Sequence, residues 1–303
     1  MAAADEFRIL GRRPGNEASI RIDCRGVAID QDSFHVVAGL NAVDTREYVE
    51  ETFRALREAG QVLARMGAYK PRTSPYSFQG YGRQCLPYVF ELAGRYGIRC
   101  ISMEVTHDEH VDEIREALRL TGEPTGVMLQ IGTRNTQNFE LLKTVGSQRE
   151  FPVLVKRGFG ITLHESLLAA EYVASSGNRD VVFCLRGMKT NFGDPHRNLV
   201  DFGHVGTVKG LTRMPVCVDP SHSVGQRGGS PEGLPDIFHV AAQGVIAGAN
   251  LLLVDMHPEP RKALVDAAQA LTPAELPWFL EDMAIAREAY LKRRECAARH
   301  GPS

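Results

Sequence analysis

From residue 35 onward the chain alternates regularly between short apolar runs and longer amphipathic stretches. The apolar runs at 35–40, 62–69, 99–105, 126–131, 152–156, 180–185, 215–218 and 250–255 read as strands. Helical periodicity occupies roughly 84–96, 108–120, 136–145, 163–176 and 236–247, and a last helix spans about 274–295. Another helix follows Asp44, whose spacing to Glu47 predicts a capping box. The stretch 191–210 has the weakest helical pattern and is expected to be mostly loop. Residues 1–18 are polar and broken by Gly and Pro, which predicts a flexible tail, with a second short tail at 296–303. The run S-I-R-I-D-C-R-G-V-A-I-D (19–30) predicts a hairpin about an Arg-Gly turn, within an N-terminal unit 19–34.

Eight apolar strands, each followed by a connection long enough for a helix, predict an α/β fold, a (β/α)8 TIM barrel over 35–295. The hairpin would plug its N-terminal end. A doubly wound open sheet is the rival. It fits less well, because no G-x-G-x-x-G follows the first strand and polar groups sit at nearly every strand end. A length of 303 residues suits one such barrel, and 43% apolar residues supply a core. A net charge of −2 argues against a broad nucleic-acid surface. No run of about 18 apolar residues predicts a membrane span, and the first residues, M-A-A-A-D-E-F-R, show no signal-peptide pattern. Six cysteines without a C-x-x-C pair read as reduced, buried thiols of a cytoplasmic protein.

The strand ends carry the chemistry. A barrel gathers them on one face, and here they deliver Asn41, Arg65, Lys70, Arg72, Glu104, His107, Arg134, Lys156, Arg186, His222, Asp255 and, slightly beyond, Asp266. Arg157, Lys189 and His257 fall in the same runs. A single strand-end cation is ordinarily a solvated loop charge. Repetition over six strand ends instead predicts a pocket for a multiply charged anion, with arginine for bidentate phosphate or carboxylate recognition and lysine as a point charge or proton source. Thr133-Arg134 precedes N-T-Q-N-F-E, which predicts a helix N-terminus suited to phosphate. His107 reads as a capping neighbour, while Tyr76, Phe78 and the prolines near them read as loop stiffeners.

The runs G-A-Y-K-P-R-T-S-P-Y-S-F-Q-G (67–80), Q-I-G-T-R-N-T-Q-N-F-E-L-L-K (130–143), P-V-L-V-K-R-G-F (152–159), R-G-M-K-T (186–190) and V-D-P-S-H-S (218–223) resemble 3-deoxy-D-arabino-heptulosonate 7-phosphate (DAHP) synthase. The nearest form is the compact bacterial type I-beta, related to 3-deoxy-D-manno-octulosonate 8-phosphate synthase, and the likeness covers about residues 25 to 290. The resemblance implies a cytoplasmic carbon–carbon bond-forming transferase of the shikimate pathway and aromatic amino acid biosynthesis. It condenses phosphoenolpyruvate with an aldose phosphate, erythrose 4-phosphate first among them, and releases phosphate. The implied phosphoenolpyruvate contacts are Arg65, Lys70, Gln130, Gly132, Thr133, Arg134, Lys156 and Arg186. Pro71, Arg72 and Thr73 would hold the acceptor. Lys70, Glu104, His222 and Asp266 would act as catalytic groups, and a homodimer or homotetramer is implied.

The resemblance also implies a divalent metal (Mn, Fe, Co or Zn) on His222, Asp255 and Asp266, with no organic cofactor. Asn41 stands where the family's metal-binding members carry Cys, Asp255 stands for Glu, and Ala267 replaces a glycine after Asp266. Loss of a thiolate and of one methylene weakens such a site, so metal-independent chemistry is the second expectation. The Asn, with N-F-G and N-L-V-D after Arg186, also resembles the metal-independent octulosonate synthases. A paralogue of antibiotic or secondary metabolism using another aldehyde, and a non-catalytic phosphoenolpyruvate-binding barrel, remain alternatives. With about 30 residues ahead of the barrel, no separate regulatory domain is expected.

Overall fold

The computed structural model describes residues 6–300 of the 303-residue chain. A two-stranded antiparallel hairpin, β1 (Ile22–Cys24) and β2 (Val27–Ile29), comes first. Eight parallel strands then close into one barrel: β3 (His35–Leu40), β4 (Leu63–Met66), β5 (Cys100–Val105), β6 (Gly126–Ile131), β7 (Val153–Lys156), β8 (Val181–Leu185), β9 (Val216–Val218) and β10 (Leu251–Asp255). Each pairs with its neighbour in sequence, and β10 closes on β3 with Leu251 opposite His35 and Asp255 opposite Gly39. Outside lie α1 (Arg46–Glu58), α2 (Leu86–Tyr96), α3 (Glu109–Leu120), α4 (Phe139–Ser147), α5 (Leu163–Ser175), α6 (Val205–Leu211), α7 (Pro220–Val224), α8 (Asp236–Ile246) and α9 (Leu276–His300). Among the described residues no helix is long and apolar enough to cross a membrane.

The period-2 geometry of the strands sorts their side chains into two cores. Val36, Ala64, Ile101, Val127, Val153, Val181, Val216 and Leu252 face outward into the core shared with the helices. Val37, Leu63, Cys100, Met128, Leu154, Val182, Cys184, Cys217, Leu251 and Leu253 form a second, inner core. Ile22, Cys24 and Ile29 of the hairpin join that inner core and seal one end of the barrel, as expected. Continuing the inward set toward the C-terminal ends gives Asn41, Arg65, Glu104, Gln130, Lys156, Arg186, Asp219 and Asp255. Every strand therefore turns from apolar to polar at the same end, and that gradient builds the site.

Several expectations are revised. Residues 7–13 pack onto the barrel, while 14–18 are exposed: Phe7 and Leu10 are buried, and the buried Glu171 carboxylate accepts from Ile9 N at 2.6 Å and Leu10 N at 3.0 Å. The rest of the expected N-terminal tail, 1–5, lies outside the described residues. Helix α9 runs through 296–300, so only 301–303 of the expected C-terminal tail lie outside the described residues. Cys296 on that helix is exposed while the other five thiols are buried. The α1 cap is Thr45, which accepts from Tyr48 N at 3.2 Å; Asp44 is instead buried beside His257, so no Asp44–Glu47 box forms. The 191–210 stretch is mostly loop, as expected, and only its end enters α6, whose Val205 and Val208 are buried. Its glycines weaken the helical signal in the sequence.

Candidate active site

The polar ring of strand ends opens into a cavity of about 250 Å³. Arg65, Lys70, Arg72, Arg134, Lys156 and Arg186 all line it, with Pro71, Thr73, Glu104, Gln130, Gly132, Thr133, His222 and Asp266. Asn41 and Asp255 lie beneath, tied to this wall through Arg65. Gly132 has to be glycine for the cavity to keep its shape, because a Cβ there would collide with the Glu104 carboxylate.

Four carboxylates of the site each have a cation. Lys70 Nζ is 3.1 Å from Glu104 Oε2, Lys156 Nζ is 2.5 Å from Asp219 Oδ2, and Arg197 Nη1 is 3.0 Å from Asp266 Oδ1. Arg65 pairs with Asp255. Burial alone would raise the Glu104 carboxyl, but Lys70, Lys156 and Arg65 hold it below the usual carboxylate range. Asp219 is likewise held far below that range by His222, Lys156 and Arg65 against its burial. Lys70 moves the other way. Its burial lowers the ammonium pKa, with Arg65 and Lys156 adding to the effect and Glu104 opposing it.

Arg72, Arg134 and Arg186 have no carboxylate within ion-pair distance among the described residues. Arg186 is buried, its Nε has no hydrogen-bond partner, and burial lowers its pKa. The Phe159 ring lies under Arg186 at 4.8 Å and Arg134 at 5.6 Å. A buried guanidinium without a counter-ion is costly on its own, so this wall is built for an anionic ligand.

His222 sits on the short helix α7, which Asp219 caps by accepting from His222 N at 3.0 Å. Asp219 also faces the ring, with Oδ2 2.9 Å from His222 Nδ1. On the other side of the ring, Asp266 Oδ2 lies 3.6 Å from Nε2, so the imidazole stands between two carboxylates at the cavity wall. Asp266 is reached through a left-handed backbone, φ 49° and ψ 37°, a conformation Asp tolerates better than most residues.

Some strand-end residues go elsewhere. Arg157 follows the inward Lys156 and therefore points outward, where it is buried against Asp201 at 2.8 Å and His204 at 3.0 Å. His257 turns to Asp44 at 3.4 Å. Lys189 is exposed. His107 packs edge-on against His110 and takes no part in the cavity wall. Thr133–Asn135 form a single 3-10 turn, and α4 starts only at Phe139 under an Asn138 cap, so Thr133-Arg134 are not a helix N-terminus. Asp219, which ends its strand in the D-P-S-H run beside His222, takes its expected place in the polar ring. Three contributors escaped the sequence reading, Phe159, Arg197 and Gln269, and all come from loops without periodicity.

Among the described residues, His222, Asp255 and Asp266 bring ligand-type atoms within 4.8 Å of one another. Those atoms are already engaged. Asp255 Oδ1 accepts from Arg65 and Oδ2 from Gln269 Nε2 at 2.6 Å. Asp266 Oδ1 accepts from Arg197 and Oδ2 from Asn41 Nδ2 at 2.5 Å. Asn41 Oδ1 in turn accepts from Arg65 Nη2 at 2.5 Å and Lys70 Nζ at 2.8 Å. Cationic and amide donors occupy all four carboxylate oxygens and leave none directed at a common point, so this arrangement does not fit a metal ion.

The family model described as the DAHP synthetase I family matches residues 17–291. The chain belongs to that family. A phospho-2-dehydro-3-deoxyheptonate aldolase of Thermotoga maritima is 41% identical over 266 residues, covering 88% of this chain and 73% of the relative. A 2-dehydro-3-deoxyphosphooctonate aldolase of Nitratidesulfovibrio vulgaris is 27% identical, covering 82% of this chain and 90% of that protein. Among solved structures, the DAHP synthase of T. maritima superposes with a TM-score of 0.81 at 35% identity, over 93% of this chain and 76% of its own. A truncated form of 3-deoxy-D-arabino-heptulosonate 7-phosphate synthase from T. maritima gives 0.75 at 32% identity, over 98% of both chains. The barrel and its plugging hairpin agree with this family placement.

Proposed function

We propose that this barrel joins phosphoenolpyruvate to an aldose phosphate, with erythrose 4-phosphate as acceptor, giving a 3-deoxy-2-ulosonate phosphate and inorganic phosphate. The observation that carries the reading is the excess of cations in one cavity. After each site carboxylate has its partner, Arg72, Arg134 and Arg186 still lack one.

In this reading Arg65 and Lys70 hold the donor's carboxylate. Arg134, Lys156 and Arg186 hold its phosphate, with Gln130, Gly132 and Thr133 completing the wall. Arg72 and Thr73, after Pro71, take the acceptor's phosphate at the mouth. Two separate cation clusters offset the repulsion of two anions placed side by side, and they fix the reacting carbons close together. Carbon 3 of the enol attacks the aldehyde carbon, and the buried Lys70 ammonium donates a proton to the forming alkoxide. Its lowered pKa makes that transfer easier. Water adds at carbon 2, losing its proton to Nε2 of His222, with Asp219, Asp266 and Glu104 setting the geometry. The carbon–oxygen bond to phosphate then breaks. We infer that no metal takes part, since Asn41, Arg65, Arg197 and Gln269 already occupy the carboxylate oxygens that would bind one.

The test is phosphate release from phosphoenolpyruvate across a panel of aldose phosphates. Release with erythrose 4-phosphate supports the full reading, and release only with another aldehyde moves the acceptor. Measurable phosphoenolpyruvate binding without release on any acceptor overturns it in favour of a binding protein.

A further inference from the structure

Arg197 lines the cavity but is given no substrate group in the proposed reaction; with Gln269 it completes a closed circuit around the acidic side of the cavity. Arg197 Nη1 donates to Asp266 Oδ1 at 3.0 Å and to Gln269 Oε1 at 3.3 Å. Gln269 Nε2 donates to Asp255 Oδ2 at 2.6 Å, and Asp255 Oδ1 accepts from Arg65. Arg65 donates to Asn41 Oδ1, and Asn41 Nδ2 returns to Asp266 Oδ2. Six residues from five separate stretches of chain thus give every oxygen of both aspartates a donor.

We propose that Arg197 is a positioning residue for the reaction, closing with Gln269 a hydrogen-bond ring that holds Asp255 and Asp266 beside His222 in place of a bound cation. The inference rests on the metal-free reading of the site. Two carboxylates facing one imidazole repel each other and need a fixed positive group between or behind them. A guanidinium can supply that charge with defined directions, which a mobile ion does only through its ligands. Arg197 is itself anchored to the His222 helix. Its N donates to Val224 O at 2.9 Å, and Asn198 Nδ2 donates to His222 O at 2.7 Å. One loop therefore sets the spacing between Asp266 and His222. The Arg197 side chain is 44% exposed, so its value lies in orientation more than in bulk stability.

The experiment compares wild type, Arg197→Ala and Arg197→Lys by steady-state kinetics and by calorimetric titration with Mn²⁺ after chelation. Arg197→Ala is expected to lower kcat about 10- to 100-fold with the KM for phosphoenolpyruvate unchanged. Arg197→Lys, which keeps charge without the fork, falls between. Wild type should show no saturable Mn²⁺ binding, while Arg197→Ala, with Asp266 Oδ1 released, should gain one site. Equal titrations for wild type and Arg197→Ala, or a loss carried by KM for either substrate, overturn the proposal. If wild type turns over no acceptor, the proposed reaction fails while the Mn²⁺ comparison still decides the ring. Should Arg197→Ala not fold, Gln269→Ala is read in the same two ways.

Discussion

Asn41 and Asp266 stand 225 positions apart in the chain, and the Asn41 amide nitrogen lies 2.5 Å from the Asp266 carboxylate. The contact occupies an oxygen that a metal would need and places a hydrogen-bond donor beside it. Chelator treatment followed by dialysis is therefore expected to leave phosphate release undiminished. A stoichiometric metal in the purified protein, with turnover abolished by its removal, is the contrary result.

Lys70 is buried with its pKa lowered from 10.5, and in the proposed reaction it acts as the ammonium. A lowered pKa means that this form is lost earlier as pH rises. The alkaline limb of kcat/KM is expected below pH 10.5, the ordinary lysine value. Lys70→Met should cost about 10²- to 10⁴-fold in turnover. A pH profile whose alkaline limb is unchanged in that variant would remove Lys70 from the proton transfer.

The two cation clusters should separate kinetically. Arg186→Ala is expected to raise the KM for phosphoenolpyruvate by about 10- to 100-fold while sparing that of the acceptor. Arg72→Ala should do the reverse. Equal effects on both substrates from either change would mean that the cavity does not divide as assigned.

Arg157 and Asp201 form a buried pair at 2.8 Å behind the barrel wall, and Asp201 also accepts from Gly187 N at 2.8 Å. Removing the carboxylate in Asp201→Ala strands a buried guanidinium and should cost about 3–5 kcal/mol in urea unfolding. Arg157→Met with Asp201→Leu should recover much of that loss, since an apolar pair of similar volume replaces the ion pair. An unchanged unfolding midpoint in the single variant would show that Arg157 finds another partner or water.

Strand periodicity was visible in the chain before any coordinates, because inward and outward faces alternate every residue and a buried parallel strand must be apolar on both. That rule located all eight strands, with the observed ends trimmed by no more than three residues. It also placed Arg65, Glu104, Lys156 and Arg186 on one face. Residues one step off the pattern were misleading: Arg157 follows Lys156 directly, yet the alternation carries it behind the wall to Asp201. The cap of α1 was misplaced by one residue for a similar reason, since Asp44 and Thr45 are both competent caps and only the burial of Asp44 beside His257 separates them.

The loops obey no period, and there the local signal ends. Nothing in the run around Arg197 or Gln269 indicates that they meet Asp266 and Asp255, because those contacts depend on how the barrel closes and on which loop lies across its mouth. The polarity of each strand end belongs to the chain, written by side-chain alternation along eight short segments. The pairing of those polar groups belongs to the closed barrel, where charges distant in sequence share one small, largely buried space and must satisfy one another.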